Sequence, residues 1–303
     1  MTKPYAAVVG AVNMDIWGRS FDTLISRDSN PGEIRLSPGG VGRNIAHNLR
    51  LLGVETQMLT ALGGDVWAGQ LEESCRALGI GLKCAVRVPD MRTSGYLYIT
   101  GPDGDLALAV CDTDITGTIT PAVIEQNLDL LSRAALVVFD GNLTEETIDY
   151  LTSHCRAPLF VDPVSVTKAK KLVPFLHRIH TLKPNALEAA ALTGEAAPAA
   201  AARSLAEAGV KRVFVSDGPR GMVCAHGPDS YHVPCPATEL VNATGGGDAV
   251  MAGLCRAFLD GRDIVSAARY ALAAGSLAAE CAETINPALS DETVRRRMEK
   301  NKD

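Results

Sequence analysis

The sequence predicts an α/β fold in which a mostly parallel sheet is covered by helices on both faces, with a small β-sheet as a lid. Three observations predict this fold. Short apolar runs alternate with longer helix-patterned segments through most of the chain, which is typical of a parallel sheet with helical crossovers. Two stretches, 15–36 and 93–111, break the alternation, and beyond about residue 247 only helical segments follow.

Each predicted strand of the main sheet is a short, mostly apolar run, and each predicted helix repeats apolar residues at three- and four-residue intervals. In chain order the strands are 6–12, 56–62, 136–140, 159–162, 181–183 and 212–216. The helices between them are 42–52, 66–78, 145–154 and 187–193, and the three closing helices are 248–260, 263–282 and 291–300.

The two stretches outside the alternation predict the lid. The first is rich in turn residues and ends in a short alternating run at 33–37. The second has two alternating runs separated by the Asp-Gly turn Asp103-Gly104, a strong signal of a β-hairpin. Open α/β folds bind ligands at the carboxyl edge of the sheet, so we expect the lid to cover that edge. The predicted domains are the lid, 14–40 and 93–112, and the main α/β domain, 1–13, 41–92 and 113–303.

Composition excludes several classes of function. The chain has 303 residues with a net charge of −6, which gives no electrostatic reason to expect a nucleic acid polymer or an anionic membrane as partner. Eight single cysteines without any C-x-x-C pair are typical of buried thiols in a reducing compartment. The six histidines do not cluster as metal ligands, and no secretory segment opens the chain. We expect a soluble, cytoplasmic protein whose ligands are small molecules.

A glycine-rich motif precedes the first predicted helix. Gly39, Gly40 and Gly42 allow the backbone to approach a ligand closely, and the amides of the helix N-terminus would face it. Asn44, in the first helical turn, can offer both a donor and an acceptor to a hydroxylated ligand. A plain tight turn into a helix explains the same residues. The motif is also half of a dinucleotide fingerprint, but the third glycine of that pattern is missing.

A second glycine-rich motif, 242–248, opens a later helix. Gly245, Gly246 and Gly247 are poor helix formers, each costing about 1 kcal/mol against Ala, so we expect them to expose amides as an anion hole for a phosphate. A carboxylate beside such a hole suits a general base, and Asp248 could take the proton from a hydroxyl that attacks phosphorus. The alternative is that Asp248 caps the helix, and the sequence favours neither role.

Three weaker signals lie at the ends of other predicted strands. Lys183-Pro184-Asn185, with Glu188 one turn later, follows a strand and could hold phosphate and a hydrated Mg²⁺. The segment 216–221 is a glycine-containing turn that could contact a nucleotide or serve as a plain hairpin. Asn13 and Asp15 follow the first strand, where Asp15 could accept hydrogen bonds from vicinal hydroxyls or simply form a turn. The sequence contains no Walker A motif, which excludes the P-loop fold.

Together these motifs resemble the two signatures of the ribokinase-like, PfkB-type carbohydrate and nucleoside kinases. The N-terminal signature is matched by Gly39-Gly40-x-Gly42-x-Asn44-x-Ala46 with Gly53 and Gly63, and the C-terminal one by residues 242–248. The resemblance covers almost the whole chain. It implies a ribokinase-like three-layer sandwich with a small β-sheet lid, and an ATP-dependent phosphotransferase that acts on an alcohol group.

Within this family the chain is similar to the bacterial pseudouridine kinases. The similarity is carried by 28–34 leading into 38–44, by Asn13-Met14-Asp15, by 180–185 and by Asn242. It implies transfer of the ATP γ-phosphoryl to the 5′-hydroxyl of pseudouridine. A kinase of another sugar or nucleoside, such as ribose, adenosine or inosine, remains the alternative within the family. A ligand sensor without catalysis is the alternative outside enzymes.

The resemblance also implies roles for individual residues. Asp248 is the general base and Gly245–Asp248 form the anion hole. Substrate-binding residues would be Asn13, Asp15, Gly39, Gly40 and Asn44 for the ribose, with Ser29, Asn30 and Thr93 for the base. ATP-binding residues would be Asn185, Glu188, Ser216, Gly218 and Gly221, with the adenine near Ala274. Mg²⁺ would bridge the ATP phosphates and contact Glu188 through water. A homodimer formed through the lid is expected, as in many relatives.

Two residues depart from the family pattern. Asn242 stands where an Asp is usual, and in relatives that Asp helps to hold a monovalent cation beside the anion hole. A neutral amide weakens the electrostatic case for K⁺ at Asn242 and Thr244, so the cation is an open expectation. Gly246 replaces the usual Ala, which should keep the amide geometry and loosen the loop.

Overall fold

The computed structural model of the protein describes residues 4–300. Its largest element is an eight-stranded sheet with the strand order β14-β13-β12-β11-β10-β9-β1-β4. The six strands from β12 to β4 in this order are parallel, and β13 and β14 add to one edge as antiparallel strands. The main-sheet strands are β1 (Tyr5–Val9), β4 (Glu55–Leu59), β9 (Leu136–Asp140), β10 (Leu159–Asp162), β11 (Thr181–Leu182), β12 (Arg212–Ser216), β13 (Met222–His226) and β14 (Asp229–Val233).

Helices cover both faces of this sheet. They are α1 (Val41–Leu51), α2 (Val66–Ala77), α3 (Pro121–Arg133), α4 (Glu145–His154), α5 (Val166–Ala169), α6 (Ala186–Thr193), α7 (Pro198–Glu207), α8 (Gly246–Leu259), α9 (Ile264–Ala279) and α10 (Asp291–Lys300). Short 3₁₀ segments occur at Asp114–Thr118, Lys170–Arg178 and Gly218–Arg220. None of the helices within residues 4–300 is long and apolar enough to cross a membrane.

Strand β1 explains why the central strands are apolar at successive positions. Ala6 and Val8 point into the core beneath α1, α8 and α9, whereas Ala7 and Val9 point into a second core on the opposite face. Because side chains alternate between the faces of a strand, a strand covered on both sides must be apolar throughout. This confirms the α/β class with helices on both faces that the sequence predicts.

A separate four-stranded sheet forms the lid, with the order β3-β2-β7-β8. Its strands are β2 (Asn13–Ser20), β3 (Gly32–Gly39), β7 (Gly95–Thr100) and β8 (Leu106–Asp112), and a small pair is made by β5 (Ala61–Gly63) and β6 (Val86–Val88). The predicted hairpin of β7 and β8 is confirmed, with Gly104 at φ 88° in its turn. The boundaries of the two predicted domains stay a prediction.

Two expectations about elements are wrong. Residues 15–20 were expected to be turns but extend β2, which gains its stability from pairing with β3 on one side and β7 on the other. The predicted strand 56–62 is divided into β4 and β5. Helix α3 has no counterpart among the predicted elements, although Pro121 at its first turn is a common helix start.

The two faces of the lid differ in character. On one face the register aligns Asp15 with Ser37 and Tyr96, and Trp17 with Arg35 and Tyr98. The opposite face carries the apolar side chains Ile16, Ile34, Leu36, Leu97, Ile99, Leu108 and Val110. Ile34, Leu108 and Val110 are 73%, 58% and 59% exposed, so this face is unusually apolar for one that is open to solvent.

Candidate active site

The two glycine-rich motifs meet in space. Gly40 is the N-cap of α1 and Gly245 is the N-cap of α8, and within the described chain no side chain caps either helix. Four residues into α1, the Asn44 Nδ2 donates a hydrogen bond of 3.0 Å to Asp248 Oδ2. Two helix N-termini, each with uncapped amides, therefore converge on one buried carboxylate, and that arrangement favours an anionic ligand.

Glycines at the start of α1 pack against Asp15. A Cβ on Gly39 would lie 2.0 Å from Asp15 Oδ2, and one on Gly40, at φ 96°, would lie 2.6 Å from the Ala11 carbonyl oxygen. A larger residue at either position would push the loop away from the end of β1. The sequence prediction of a close backbone approach at these glycines therefore has a specific cause, which is the Asp15 carboxylate and the strand end beside it.

Three oxygen acceptors near this loop are buried and have no hydrogen-bond partner among the described residues. They are Oδ1 of Asn13, Asp15 and Asn44. Burial raises the pKa of Asp15 to about 6, although the Arg43 guanidinium opposes the shift. Since buried polar atoms are normally paired, three unpaired acceptors indicate a ligand with several hydroxyl donors.

Asp248 is a carboxylate shifted toward its protonated form. Burial raises its pKa to about 8, and the negative charge of Asp162 adds to the shift, while the Asn44 bond and the Lys183 charge reduce it. Its side chain does not cap α8, because the cap position belongs to Gly245. A carboxyl group with a pKa near neutrality at a helix N-terminus suits proton transfer, so the geometry favours the base over the cap.

A buried ion pair lies beside Asp248. Lys183 Nζ is 3.0 Å from Asp162 Oδ2, and both side chains are almost fully buried. A Cβ on Gly247 would lie 3.4 Å from Lys183 Nζ, which places this ammonium group at the first turn of α8. Burial opposes the charge on Lys183, but Asp162 and Glu188 raise the lysine pKa overall. A fixed positive charge therefore stands next to the predicted anion hole.

Sequence reasoning missed the polar residues that follow β9 and β10. Asp140 accepts hydrogen bonds from the backbone of Ala11 and from the backbone and side chain of Asn142. The Lys168 amine contacts Asn142 Oδ1, and Lys171 donates to the Leu143 carbonyl at 2.6 Å. These two strands lie between β1 and β11 in the sheet. A charged residue directly after a buried apolar run, as at 140 and 162, is the signal that could have found them.

The predicted nucleotide residues gather at the ends of β11 and β12. Asn185 and Glu188 form a capping box at the start of α6, in which each side chain accepts from the other's backbone N–H at 2.9 Å. Asn185 also forms a bridge with Ser216. Gly218, at φ 55°, faces open space, so a ligand can approach its backbone.

Two other residues predicted to bind the nucleotide, Gly221 and Ala274, are tightly packed within the fold. A Cβ on Gly221 would lie 2.2 Å from the Val233 carbonyl oxygen, so this glycine is required by the β12–β13 hairpin. Ala274 is wholly buried and packs opposite Gly253 of α8, which makes it part of the contact between α8 and α9. Contact of either residue with ATP stays a prediction.

The residues predicted to read a base are held by local bonds. Asn30 accepts from the Ile25 N–H at 2.8 Å and donates to the carbonyls of Ile25 and Asp28, and Ser29 lies in the same exposed loop. The buried Thr93 hydroxyl donates to Asp65 at 2.7 Å and accepts from the Gly63 N–H. No hydrogen bond among the described residues joins the side chains of these three residues to Asp15, and their role in base recognition stays a prediction.

Comparison with known proteins shows the family of the chain. The family model described as pfkB family carbohydrate kinase matches residues 3–291. The chain is 37% identical over 296 residues to pseudouridine kinase of Escherichia coli (strain K12), covering 95% of this chain and 94% of that protein. It is also 37% identical over 295 residues to the uncharacterized sugar kinase YeiI of the same organism, covering 95% and 82%.

A solved structure supports the fold. The crystal structure of ribokinase from Thermotoga maritima superposes with a TM-score of 0.88 at 21% identity, over 98% of this chain and all of that one. The likeness extends to the large sheet and to the separate small sheet of the ribokinase-like fold. With the family model matching nearly the whole length, the chain belongs to the pfkB family of carbohydrate kinases and is an ATP-dependent carbohydrate or nucleoside kinase.

Proposed function

We propose that this protein is a pseudouridine kinase, which transfers the γ-phosphoryl group of ATP to the 5′-hydroxyl of pseudouridine. The observation that carries the proposal is Asp248, a buried carboxylate bonded to Asn44 and placed in the first turn of α8. The 37% identity to a pseudouridine kinase over nearly the whole chain supports the named substrate.

The lid face that carries Asp15 supports a nucleoside over a free sugar. Trp17, Tyr96 and Tyr98 lie on the same face as Asp15, and the two tyrosine rings stack with centroids 5.3 Å apart. Aromatic rings provide flat apolar surface on which a nucleobase can pack. A free pentose would leave this surface uncovered.

In the proposed reaction the acceptor is bound through its ribose. The unpaired oxygens of Asn13, Asp15 and Asn44 accept hydrogen bonds from the ribose hydroxyls and direct the 5′-hydroxyl toward Asp248. Asp248 takes the hydroxyl proton as the new O–P bond forms and the bond to the β-phosphate oxygen of ADP breaks. Asn44 holds the carboxylate in position for this transfer.

The γ-phosphoryl group passes from the nucleotide side of the proposed site to the acceptor side. The N-terminal amides of α8 and the Lys183 ammonium stabilise the negative charge on its oxygens. Asn185, Glu188 and the backbone at Gly218 line the nucleotide side. Mg²⁺, whose preferred ligands are carboxylate oxygens and water, would neutralise ATP phosphate charge, and the buried Glu188 carboxylate fits a water-mediated contact with it.

The substrate is tested by ADP release from Mg-ATP with pseudouridine, uridine, ribose and adenosine offered in parallel, with Asp248→Asn protein as the blank. Pseudouridine has a C–C glycosidic bond and therefore one more ring N–H than uridine. We expect strong turnover with pseudouridine and little with uridine, because a site built to bind that N–H is left with an unpaired acceptor otherwise.

The second candidate is a kinase of another sugar or nucleoside. It is favoured by the equal identity to YeiI, whose substrate is not specified by its name. Turnover with ribose or adenosine in the same assay would support this candidate and leave the role of Asp248 intact. Absence of turnover with every acceptor of a broader sugar and nucleoside panel would contradict both.

Asp15→Asn is expected to raise KM for the nucleoside by about 10–100-fold, the scale of a hydrogen bond to a charged group, with KM for ATP unchanged. Because burial raises the Asp15 pKa to about 6, KM for the nucleoside in the unsubstituted protein should rise as pH falls through 6. Asp103→Asn, in the lid hairpin turn, is the control and should leave both values unchanged. A nucleoside KM that does not vary between pH 5 and pH 8 would contradict this role.

We also propose that the protein is a homodimer in which the apolar lid faces of two copies pack together. Several exposed aliphatic side chains share that face, and a second copy offers an equally apolar surface of the same shape. Ile34→Glu should convert a dimer to a monomer in light scattering, whereas Val173→Glu, on the 3₁₀ segment 170–178, should not. A monomeric unsubstituted protein would exclude this dimer.

A further inference from the structure

The side chain of Asn242 joins two loops beside the anion hole. Its Nδ2 donates to the Ala282 carbonyl oxygen at 3.0 Å, and its Oδ1 accepts from the Thr244 N–H at 2.9 Å. Thr244 directly precedes Gly245, the N-cap of α8. The Asn242 amide therefore connects the segment that leads into the anion hole with the segment that follows α9.

The orientation of this amide is determined by its two partners. The Thr244 N–H can only donate and the Ala282 carbonyl can only accept, so the oxygen must face Thr244 and the nitrogen must face Ala282. The reversed orientation would place donor against donor and acceptor against acceptor. Both hydrogen-bonding groups of the side chain are thus used within the protein.

A carboxylate at position 242 would behave differently. One of its oxygens would still accept the hydrogen bond from the Thr244 N–H. The other, also negatively charged, would lie about 3 Å from the Ala282 carbonyl oxygen, the length of the present hydrogen bond from Asn242. Two oxygens at that separation repel unless a cation lies between them. An Asp at position 242 would therefore favour a cation between these two oxygens, whereas here the Asn242 N–H group donates directly to the Ala282 carbonyl oxygen in its place.

The same two segments also meet at Gly245. A Cβ on this glycine, at φ 80°, would lie 2.1 Å from the Thr284 carbonyl oxygen. The loop after α9 therefore determines where the N-cap of α8 sits. Any repulsion between position 242 and Ala282 would be transmitted to the first amides of the anion hole.

We propose that the Asn242 amide performs the positioning role of a monovalent cation, and that phosphoryl transfer by this protein does not depend on K⁺. The Asn242 side chain directs an N–H group, not an oxygen ligand, at the Ala282 carbonyl, so these groups do not fit a monovalent cation such as K⁺. Asn242 acts instead as a positioning residue for the anion hole. This inference rests on the proposed kinase function for its kinetic test but not for its stability test.

The test compares ADP release and the melting temperature in KCl and in tetramethylammonium chloride of equal ionic strength. The unsubstituted protein should keep its kcat within about twofold between the two salts. In tetramethylammonium chloride, the kcat of Asn242→Asp should be lower than that of the unsubstituted protein by at least about tenfold, which is the scale of one hydrogen bond to a charged group. In KCl the kcat of this variant should recover. Its melting temperature should rise in K⁺, whereas that of the unsubstituted protein should not.

Asn286 provides a matched control. Its Nδ2 donates to the Leu277 carbonyl at 2.7 Å and its Oδ1 accepts from the Ala288 N–H at 2.9 Å, the same pair of contacts in the loop after α9. Asn286→Asp should show the same ratio of kcat between the two salts as the unsubstituted protein. A K⁺ effect in this variant as large as in Asn242→Asp would mean that the cation acts on the loop in general and would overturn the assignment to Asn242.

Further outcomes separate the inference from the proposed function. Activation of the unsubstituted protein by K⁺ of about tenfold or more would overturn the inference, as would an Asn242→Asp protein that behaves like the unsubstituted one in both salts. If no acceptor is phosphorylated in either salt, the proposed function fails. The melting temperatures of the unsubstituted protein and of Asn242→Asp then decide the inference alone.

Discussion

Asp248→Asn is expected to lower kcat by about 10²–10⁴-fold, the range for loss of a general base, with little change in KM for either substrate. Asparagine can still accept the Asn44 hydrogen bond but cannot take the proton of the 5′-hydroxyl. Because the reaction needs the ionised carboxylate and burial raises its pKa to about 8, kcat/KM of the unsubstituted protein should increase with pH through that range. Steady-state kinetics at several pH values measure both effects.

The same substitution should stabilise the fold. In the unfolded chain Asp248 ionises at its ordinary pKa near 4, whereas in the folded protein it stays protonated until about 8. The folded state therefore binds more protons between these values and loses stability as pH rises. Asp248→Asn removes this loss, so its melting temperature should exceed that of the unsubstituted protein by more at pH 8 than at pH 5.

Asp263→Asn is the control for both measurements. Asp263 caps α9 by accepting from the Ser266 N–H at 2.9 Å and lies away from the anion hole. Asparagine is an equally good cap, so activity and stability should change little. An Asp248→Asn protein that retains nearly full turnover would show that Asp248 is not the base.

Lys183→Met is expected to destabilise the protein by about 3–5 kcal/mol, because removal of one partner leaves the buried Asp162 carboxylate without its counter-charge. Activity should fall as well, since the ammonium group beside Gly247 no longer stabilises the transferring phosphoryl. Loss of the Lys183 charge should also raise the pKa of Asp248 further, which shifts the rising limb of the pH–rate profile to higher pH.

A double-mutant cycle separates these effects. Combining Lys183→Met with Asp162→Asn removes both charges, so the double variant should recover part of the stability that Lys183→Met loses, while activity stays low. Arg76→Met provides the comparison with an exposed pair, since Arg76 and Glu73 are both well exposed and their pair should contribute little to the free energy of unfolding. Equal losses for Lys183→Met and Arg76→Met in denaturant unfolding would contradict the buried-charge argument.

The parts of the fold that follow from local pattern could be predicted from the sequence. Strands β9 and β10 have the same bounds as the predicted runs, because a strand buried on both faces is a continuous apolar run, which in both cases ends at an Asp. Strand β2 could not be predicted in this way. Its sequence mixes Asn13, Asp15, Gly18 and Arg19 with apolar residues, and only its pairing with β3 and β7 makes it a strand.

The candidate site also contains residues that could be predicted from the sequence and contacts that could not. The glycines and Asp248 are predicted from the residue types that anion binding and proton transfer require. Asp15 and Asn44 are predicted from their capacity to bind hydroxyls, and the resemblance joins them in one proposed acceptor site. The contact between Asn44 and Asp248 joins residues 204 positions apart and depends on the meeting of α1 and α8. The Lys183–Asp162 pair was missed for a similar reason, because nothing local indicates that the ends of β10 and β11 hold opposite charges in contact.

The order of the strands separates the molecule into exchangeable parts. In the proposed site the acceptor is bound by residues from the end of β1, the lid and α1, and the nucleotide by residues from β11, β12 and α6, with β9 and β10 between them in the sheet. Substitutions within 13–44 and 93–112 should therefore change the preferred acceptor and leave the proposed ATP-binding residues unaltered. Exchange of those two segments between relatives is the direct way to test whether they determine the acceptor.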